Sequence, residues 1–283
     1  MLNVGPDGNG NIPYYSAKYL KETGDWLQKN GESIYGTTYG FVPAQPWGVT
    51  TSRPGKLFLH MWNRPLNKEL LVPGFKNSVS KVYTLAGKKS LPFSQKSGDL
   101  LVDISPVIDD NSPNTVLVVT YSGTPPAYHA SSPVTVSAQY TTNKIDAVFA
   151  KTHGNTIVRS LTYSHYFGDW KHATCVTDMQ SPADSTVFTA RITEPGDYKL
   201  ILEYTCDEEN SNQEGSLAIA GQKFMFKTLR TSAFKTSKPL LFIQHPVAIF
   251  STTKTGTFNI AIQPYQNGKE LFKLKSIIVE PVR

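Results

Sequence analysis

The densest chemistry-bearing stretch of this chain is Tyr163-Ser164-His165-Tyr166-Phe167-Gly168-Asp169-Trp170-Lys171-His172. Sugars present C–H faces that stack on aromatic rings, and polar neighbours bind their hydroxyls. Tyr166, Trp170 and His172 can form such a sugar-binding platform, and the Gly-Asp turn signal between Phe167 and Trp170 favours an exposed loop. The competing reading is that these rings belong to a core, as aromatic side chains in β-domains commonly do. Both readings stand at the level of sequence.

Other residue types that do chemistry lack the spacing for it. Asp109-Asp110 and Asp207-Glu208-Glu209 are adjacent acids in turn and loop segments, where neighbours point apart and are solvated. His60, His129, His153, His165, His172 and His245 form no H-E-x-x-H and no His/Cys cluster. Ser164-His165 has no nucleophile-elbow context. The loop Gly5-Pro6-Asp7-Gly8-Asn9-Gly10-Asn11 is followed by no Gly-Lys-Ser/Thr, so it is not a phosphate loop. As a calcium loop it has Asp7, Asn9 and Asn11 in place. It then puts Ile12 where glycine is needed and Lys18 where a bidentate glutamate is needed. Cys175 and Cys206 are too few for a disulfide scaffold and are not spaced as a metal site. One bridge is open to them in an oxidising compartment; two buried thiols are the preferred reading. No cofactor and no metal ligand is assigned.

The elements that must position these residues are mostly strands. At 283 residues there is room for two modest domains. Charged residues are sparse at 18%, while 20 Gly and 19 Pro supply turns, a profile of an all-β protein. The net charge of +6 is scattered, with no run beyond Lys88-Lys89 and no nucleic-acid motif, so it reads as solvated surface and not as a nucleic-acid site. No apolar run approaches the roughly 18 residues of a membrane span. Residues 1–11 lack the basic start and apolar core of a signal peptide.

One helix is predicted over 16–30, with Ser16 as N-cap, Gly31 as stop and an apolar stripe of Tyr19, Leu20, Thr23, Trp26 and Leu27. From residue 46 the period changes to two. Strands are predicted over 56–62, 69–72, 80–85, 100–104 and 115–121, and a second series over 146–150, 185–192, 197–204, 216–219, 223–226, 247–250, 257–262 and 273–279. Pro125-Pro126 and Pro133 punctuate the stretch between them. The expected architecture is mostly β: an antiparallel β-sandwich over 46–125, a linker over 126–142 and a jelly-roll β-sandwich over 143–283, after a separate segment 1–45.

Leu2-Asn3-Val4-Gly5-Pro6-Asp7-Gly8 and Asn30-Gly31-Glu32-Ser33-Ile34-Tyr35-Gly36-Thr37 resemble the end of the catalytic barrel of α-L-fucosidases of glycoside hydrolase family 29. The resemblance covers roughly residues 1–40 and continues more weakly through 47–60. The words at 188–200, with the turn Glu194-Pro195-Gly196-Asp197-Tyr198, and at 268–279 resemble jelly-roll carbohydrate-binding modules. The family resemblance implies that 1–45 is the remnant of a last barrel strand, loop and helix. It implies that the chain is the C-terminal portion of an enzyme that releases terminal α-L-fucose. Retaining glycosidases use two carboxyl groups about 5–5.5 Å apart. In this family both lie upstream of the matched segment, so no catalytic residue carries over, and whether this chain is itself an enzyme is left open. Asp7 matches a motif position, where it is expected to fix the loop. The implied partners are fucosylated glycans or another polysaccharide, with the missing barrel as a domain or a separate chain. The implied compartment is periplasmic or extracellular. The alternative is a stand-alone carbohydrate-binding or protein-interaction module without enzyme activity.

Overall fold

The computed structural model describes residues 4–110, 112–125, 133–162, 172–231 and 241–283. They form two compact units. The first comprises 4–42, 48–64 and 68–125; the second comprises 43–47, 65–67 and the described residues from 133 onward. Both are built almost wholly of antiparallel strands, with one α-helix, as expected, and no barrel among the described residues. No helix among them is long and apolar enough to cross a membrane.

The first unit runs α1 (Tyr14–Asn30), β1 (Thr38–Tyr39), β2 (Gly48–Arg53), β3 (Lys56–Met61), β4 (Glu69–Val72), β5 (Val79–Thr84), β6 (Phe93–Lys96), β7 (Asp99–Asp103) and β8 (Thr115–Tyr121). These make a five-stranded sheet in the order β1-β2-β3-β8-β5 and a three-stranded sheet β4-β7-β6. On the five-stranded sheet Leu57, Leu59, Leu117 and Val119 alternate with Phe58, Val116 and Val118, and both sets are buried. Period-two burial fails here because each face of the sheet is covered. Leu70, Val72, Leu100 and Val102 of the smaller sheet are fully buried as well.

Helix α1 supplies one of those covers. It begins after Pro13 with no side-chain cap, so Ser16 lies inside its first turn instead of capping it. Proline suits a helix entrance because it has no N–H to leave unpaired. At the other end Gly31 is right-handed and leads into a 3₁₀ turn, Gly31–Ser33. Glycine is needed there for space: a Cβ would meet the Tyr35 ring at 2.8 Å. The apolar stripe divides in two. Trp26 packs against Phe58, Leu85, Val116 and Val118, and its indole N–H donates to the Asn114 carbonyl at 2.8 Å. Leu20 and Leu27 are half-buried, while Tyr19 and Thr23 are exposed. The helix is therefore integral to the first unit through its C-terminal half. Tyr14, Tyr15 and Tyr19 stay in the open, in contact with one another.

The second unit runs β9 (Val134–Val136), β10 (Asn143–Asp146), β11 (Lys151–His153), β12 (Ile157–Thr162), β13 (His172–Thr177), β14 (Ser185–Ile192), β15 (Gly196–Thr205), β16 (Glu214–Ile219), β17 (Gln222–Lys227), β18 (Ile243–Thr252), β19 (Gly256–Pro264) and β20 (Lys273–Pro281). One sheet has the order β12-β13-β20-β15-β18 with β10 also on β20; the other has β11-β14-β19-β16-β17 with β9 also on β14. Strand β14 alternates strictly, burying Thr186, Phe188, Ala190 and Ile192. With Tyr198, Leu200, Leu202, Tyr204, Phe250, Phe272 and Ile277 they build one continuous core. Strands β11, β12 and β13 go beyond those expected, and two further expectations differ. Val134–Val136, in the stretch read as linker, is a buried strand parallel to β14, because Val134 and Val136 both enter this core. The stretch 146–150, read as strand, is the end of β10 followed by a 3₁₀ turn, Ala147–Phe149, that buries Ala147 and Phe149 together.

Candidate glycan-binding site

Of the three residues read as a sugar platform, His172 is placed; Tyr166 and Trp170 lie outside the described residues. Strands β12 and β13 pair in an unbroken antiparallel register from Ile157↔Thr177 to Thr162↔His172. That ladder brings both ends of the connecting segment to one end of the sheet. His172 opens β13 there, exposed like Thr174, while Ala173 and Cys175 are buried and Val176 further along is core. Strand β13 is tied to the middle of its sheet through Val176↔Leu274.

The outward face of the same sheet carries a polar network that linear spacing does not reveal. Glu203 accepts from Lys275 Nζ at 2.8 Å and from Ser276 Oγ at 2.6 Å, and Lys144 Nζ lies 3.1 Å from its second oxygen. Lys144 also reaches Asp146 at 3.4 Å. Burial works to raise the Glu203 carboxyl, but the hydrogen bonds from Lys275 and Ser276 and the charge of Lys144 outweigh it and hold it below its ordinary value. Alternation places Glu203 outward because Leu202 and Tyr204 are core. Nearer β13, Arg159 pairs with Asp178 at 3.2 Å, and Glu270 pairs with Lys273 at 2.6 Å.

At the β15–β18 side, the Tyr204 hydroxyl accepts from the Leu229 N–H at 2.8 Å and lies 2.9 Å from His245 Nδ1. The direction of that second hydrogen bond is set by the His245 tautomer, since the phenol can both donate and accept. Burial lowers the His245 value and pushes the Tyr204 phenol up to about 12, so both groups stay uncharged near neutrality. Phe272 stacks on Tyr204 at 4.9 Å between ring centroids. Tyr204 and Phe272 are fully buried, so this cluster serves the core and forms no nucleophile–base pair.

The other sequence candidates resolve into structural duties. Asp7 Oδ1 accepts the N–H groups of Asn9 and Asn11, both at 2.9 Å, so it fixes its own loop as the motif implied. Asp110 holds Ser112 N and Thr115 Oγ1. It lines a groove of about 810 Å³ in the first unit with Trp26, Lys29, Asp109 and Asn114. Asp207 caps Asn210 N, and Glu208 pairs with Arg230. Cys175 and Cys206 are both buried free thiols. Among the described residues no group of three or more His, Cys, Asp or Glu is placed to hold a metal ion.

No family model matches the sequence. A curated α-L-fucosidase from Dictyostelium discoideum is 29% identical over 128 residues, which is 42% of this chain and 28% of that protein. The crystal structure of α-L-fucosidase from Vibrio sp. strain EJY3 superposes on 99% of this chain and 47% of its own, with a TM-score of 0.61 and 19% identity. The native structure of a family 35 carbohydrate binding module from Clostridium thermocellum matches 50% of this chain and 98% of its own, with a TM-score of 0.40 and 13% identity. The chain thus spans about half the length, or less, of the α-L-fucosidases it matches. The curated and structural neighbours point consistently to the α-L-fucosidases of glycoside hydrolase family 29, over part of their length.

Proposed function

We propose that this chain is the C-terminal, non-catalytic portion of an α-L-fucosidase and that its second unit binds glycan at the His172 end of the β12–β13 hairpin. The observation that carries the first half is α1. Its C-terminal half is docked through Trp26, yet Tyr14, Tyr15 and Tyr19, with Ile12 just before it, present an exposed aromatic face. Burying each large side chain is worth about 1.5–3 kcal/mol, so such a face favours further protein against it. The catalytic barrel of the fucosidase, as a preceding domain or a separate chain, is the natural cover. Hydrolysis of terminal α-L-fucose then belongs to the assembled enzyme, and the compartment is the periplasm or the cell exterior, as the family implies.

Two assays test this reading. The chain by itself should release no fucose from an aryl α-L-fucoside above buffer, and turnover that survives repurification would overturn it. The same chain should be retained on an array of fucosylated and plant glycans with affinity near ~1 mM to tens of μM, since one stacked ring and a few hydrogen bonds leave a small surplus. Trp170→Ala should abolish that retention with the melting temperature nearly unchanged. A large drop in melting temperature would instead make Trp170 a core residue. Retention of no glycan by the wild-type chain would remove the binding half of the proposal.

A further inference from the structure

The basic residues that are scattered in the sequence converge on one end of the five-stranded sheet of the first unit. Register aligns Arg53 of β2 with Lys56 of β3, Lys56 with Thr120 of β8, and Thr120 with Lys81 of β5. The four side chains therefore share one row on one face. One row further along the same face stand Phe58, Val118 and Tyr83. There Phe58 and Val118 are buried in the cluster that Trp26 packs against. The helix stops covering the face where the cations begin.

Lys88 joins the row from the turn after β5. Lys81 Nζ and Lys88 Nζ lie 5.1 and 5.6 Å from the centroid of the Tyr83 ring. A ring quadrupole attracts ammonium groups but carries no net charge, so it holds them in place without neutralising them. Among the described residues Glu32 is the one carboxylate within ion-pair distance of the group, 2.6 Å from Lys56 and 4.0 Å from Lys88. The hydrogen bond from Lys56 holds the Glu32 carboxyl low against the raising effect of its burial, so it is spent on Lys56. Arg53 gives one guanidinium nitrogen to the Tyr35 carbonyl, a neutral partner. Four cations thus face one anion. Like charges side by side on neighbouring strands are unfavourable by themselves, and a multiply charged anion placed over the row would relieve them.

We propose that this row is a binding site for an anionic polysaccharide, which sets sulfate ester or carboxylate oxygens among Lys81, Lys88, Lys56 and Arg53. The choice of a sugar polymer over other anions rests on the glycan-directed reading above. The patch itself does not involve His172. A short row with one aromatic ring fits a single charged sugar unit better than the phosphate ladder of a nucleic acid, which needs a longer basic track.

The test uses the full 283-residue chain in affinity electrophoresis and titration calorimetry with dextran sulfate, polygalacturonate, neutral dextran and duplex DNA. Dextran sulfate, polygalacturonate or both should be retained and dextran should not; whichever binds more tightly identifies the anion. Retention should weaken steeply as salt rises. The pair Lys81→Gln/Lys88→Gln should weaken it at least fivefold, while the charge-matched control Lys151→Gln/Lys223→Gln in the second unit leaves it near wild type. Melting curves of all variants verify folding. Three outcomes overturn the proposal: neither acidic polysaccharide is retained, the control pair loses as much as the test pair, or DNA is retained while both polysaccharides pass. Failure to bind neutral fucosylated glycans would sink the platform reading and leave these results standing.

Discussion

His60 and Asn114 hold each other in one protonation state. His60 Nε2 lies 3.0 Å from Thr51 Oγ1, and the Thr51 hydroxyl is already committed to the Ser33 carbonyl at 2.6 Å. The threonine oxygen must therefore accept from Nε2–H. That leaves Nδ1 bare, 3.2 Å from the Asn114 amide nitrogen, which donates to it. The imidazole is buried, which lowers its value from 6.5, with the Ser33 carbonyl opposing weakly. The sign follows from linkage. The folded state binds the proton less readily than the unfolded chain, so this contribution is intact above about pH 6.5 and lost as pH falls through and below it. The first unit's melting temperature should drop between pH 7.5 and 5.5. His60→Gln should flatten that slope. An unchanged slope in His60→Gln, followed by calorimetry, would refute the assignment.

Trp26 is the anchor of α1. Trp26→Ala should cost the first unit about 2–3 kcal/mol through lost apolar burial and the lost bond to the Asn114 carbonyl. Trp26→Phe should cost about 1 kcal/mol. Urea titration followed by fluorescence of the remaining tryptophans reads both. A helix that was merely appended would give no measurable loss in either variant.

Asp184 is a buried knot between β13 and β14. Its carboxylate takes Asn155 N, Gln180 N, Ser181 N and Ser181 Oγ, at 2.7–3.1 Å. Asp184→Asn turns one acceptor into a donor facing a donor and should cost about 2–3 kcal/mol. Burial would raise this carboxyl, yet the bonds hold it below 3.8. Its contribution is present above about pH 4 and lost as pH falls through the lowered value. A melting curve for Asp184→Asn that matches wild type at pH 7 would contradict this role.

Both thiols should be silent in the native state. Burial pushes Cys175 up to about 12 and Cys206 up to about 11, and neither side chain is open to reagent. An aromatic disulfide reagent at pH 8 should react with neither until denaturant unfolds the chain. Stoichiometric labelling of folded protein would show that one of them is reached from solvent.

His172→Ala should lower glycan retention while moving stability by no more than about 0.5 kcal/mol, since the side chain is exposed at a strand end. Equal retention by wild type and variant would take His172 out of the site.

What the sequence could show was local. Asp7 was legible because its bonds reach only two and four residues along the chain. Strand β14 was legible because it alternates. Strands β6 and β12 were missed: β6 is exposed throughout and β12 nearly so, which leaves no apolar rhythm to read. Val134–Val136 was read as linker because a three-residue strand beside Pro133 carries too little pattern. The Arg53–Lys56–Lys81–Lys88 row and the Glu203 network depend on cross-strand register, which a one-dimensional pattern does not contain. The apolar stripe of α1 was visible, but not that one sheet would claim half of it.

The two short segments 43–47 and 65–67 belong to the second unit although the first unit's chain surrounds them. Trp47, on one of these segments, is 1% exposed, and Ala44 packs against the second unit's core. The chain is therefore stitched, not joined end to end. No single restriction point yields either half intact: a clone that starts after residue 125 discards 43–47 and with it Ala44 from the second unit's core. Anyone wishing to study the halves apart would have to graft the two stitches back, or keep the cloth whole.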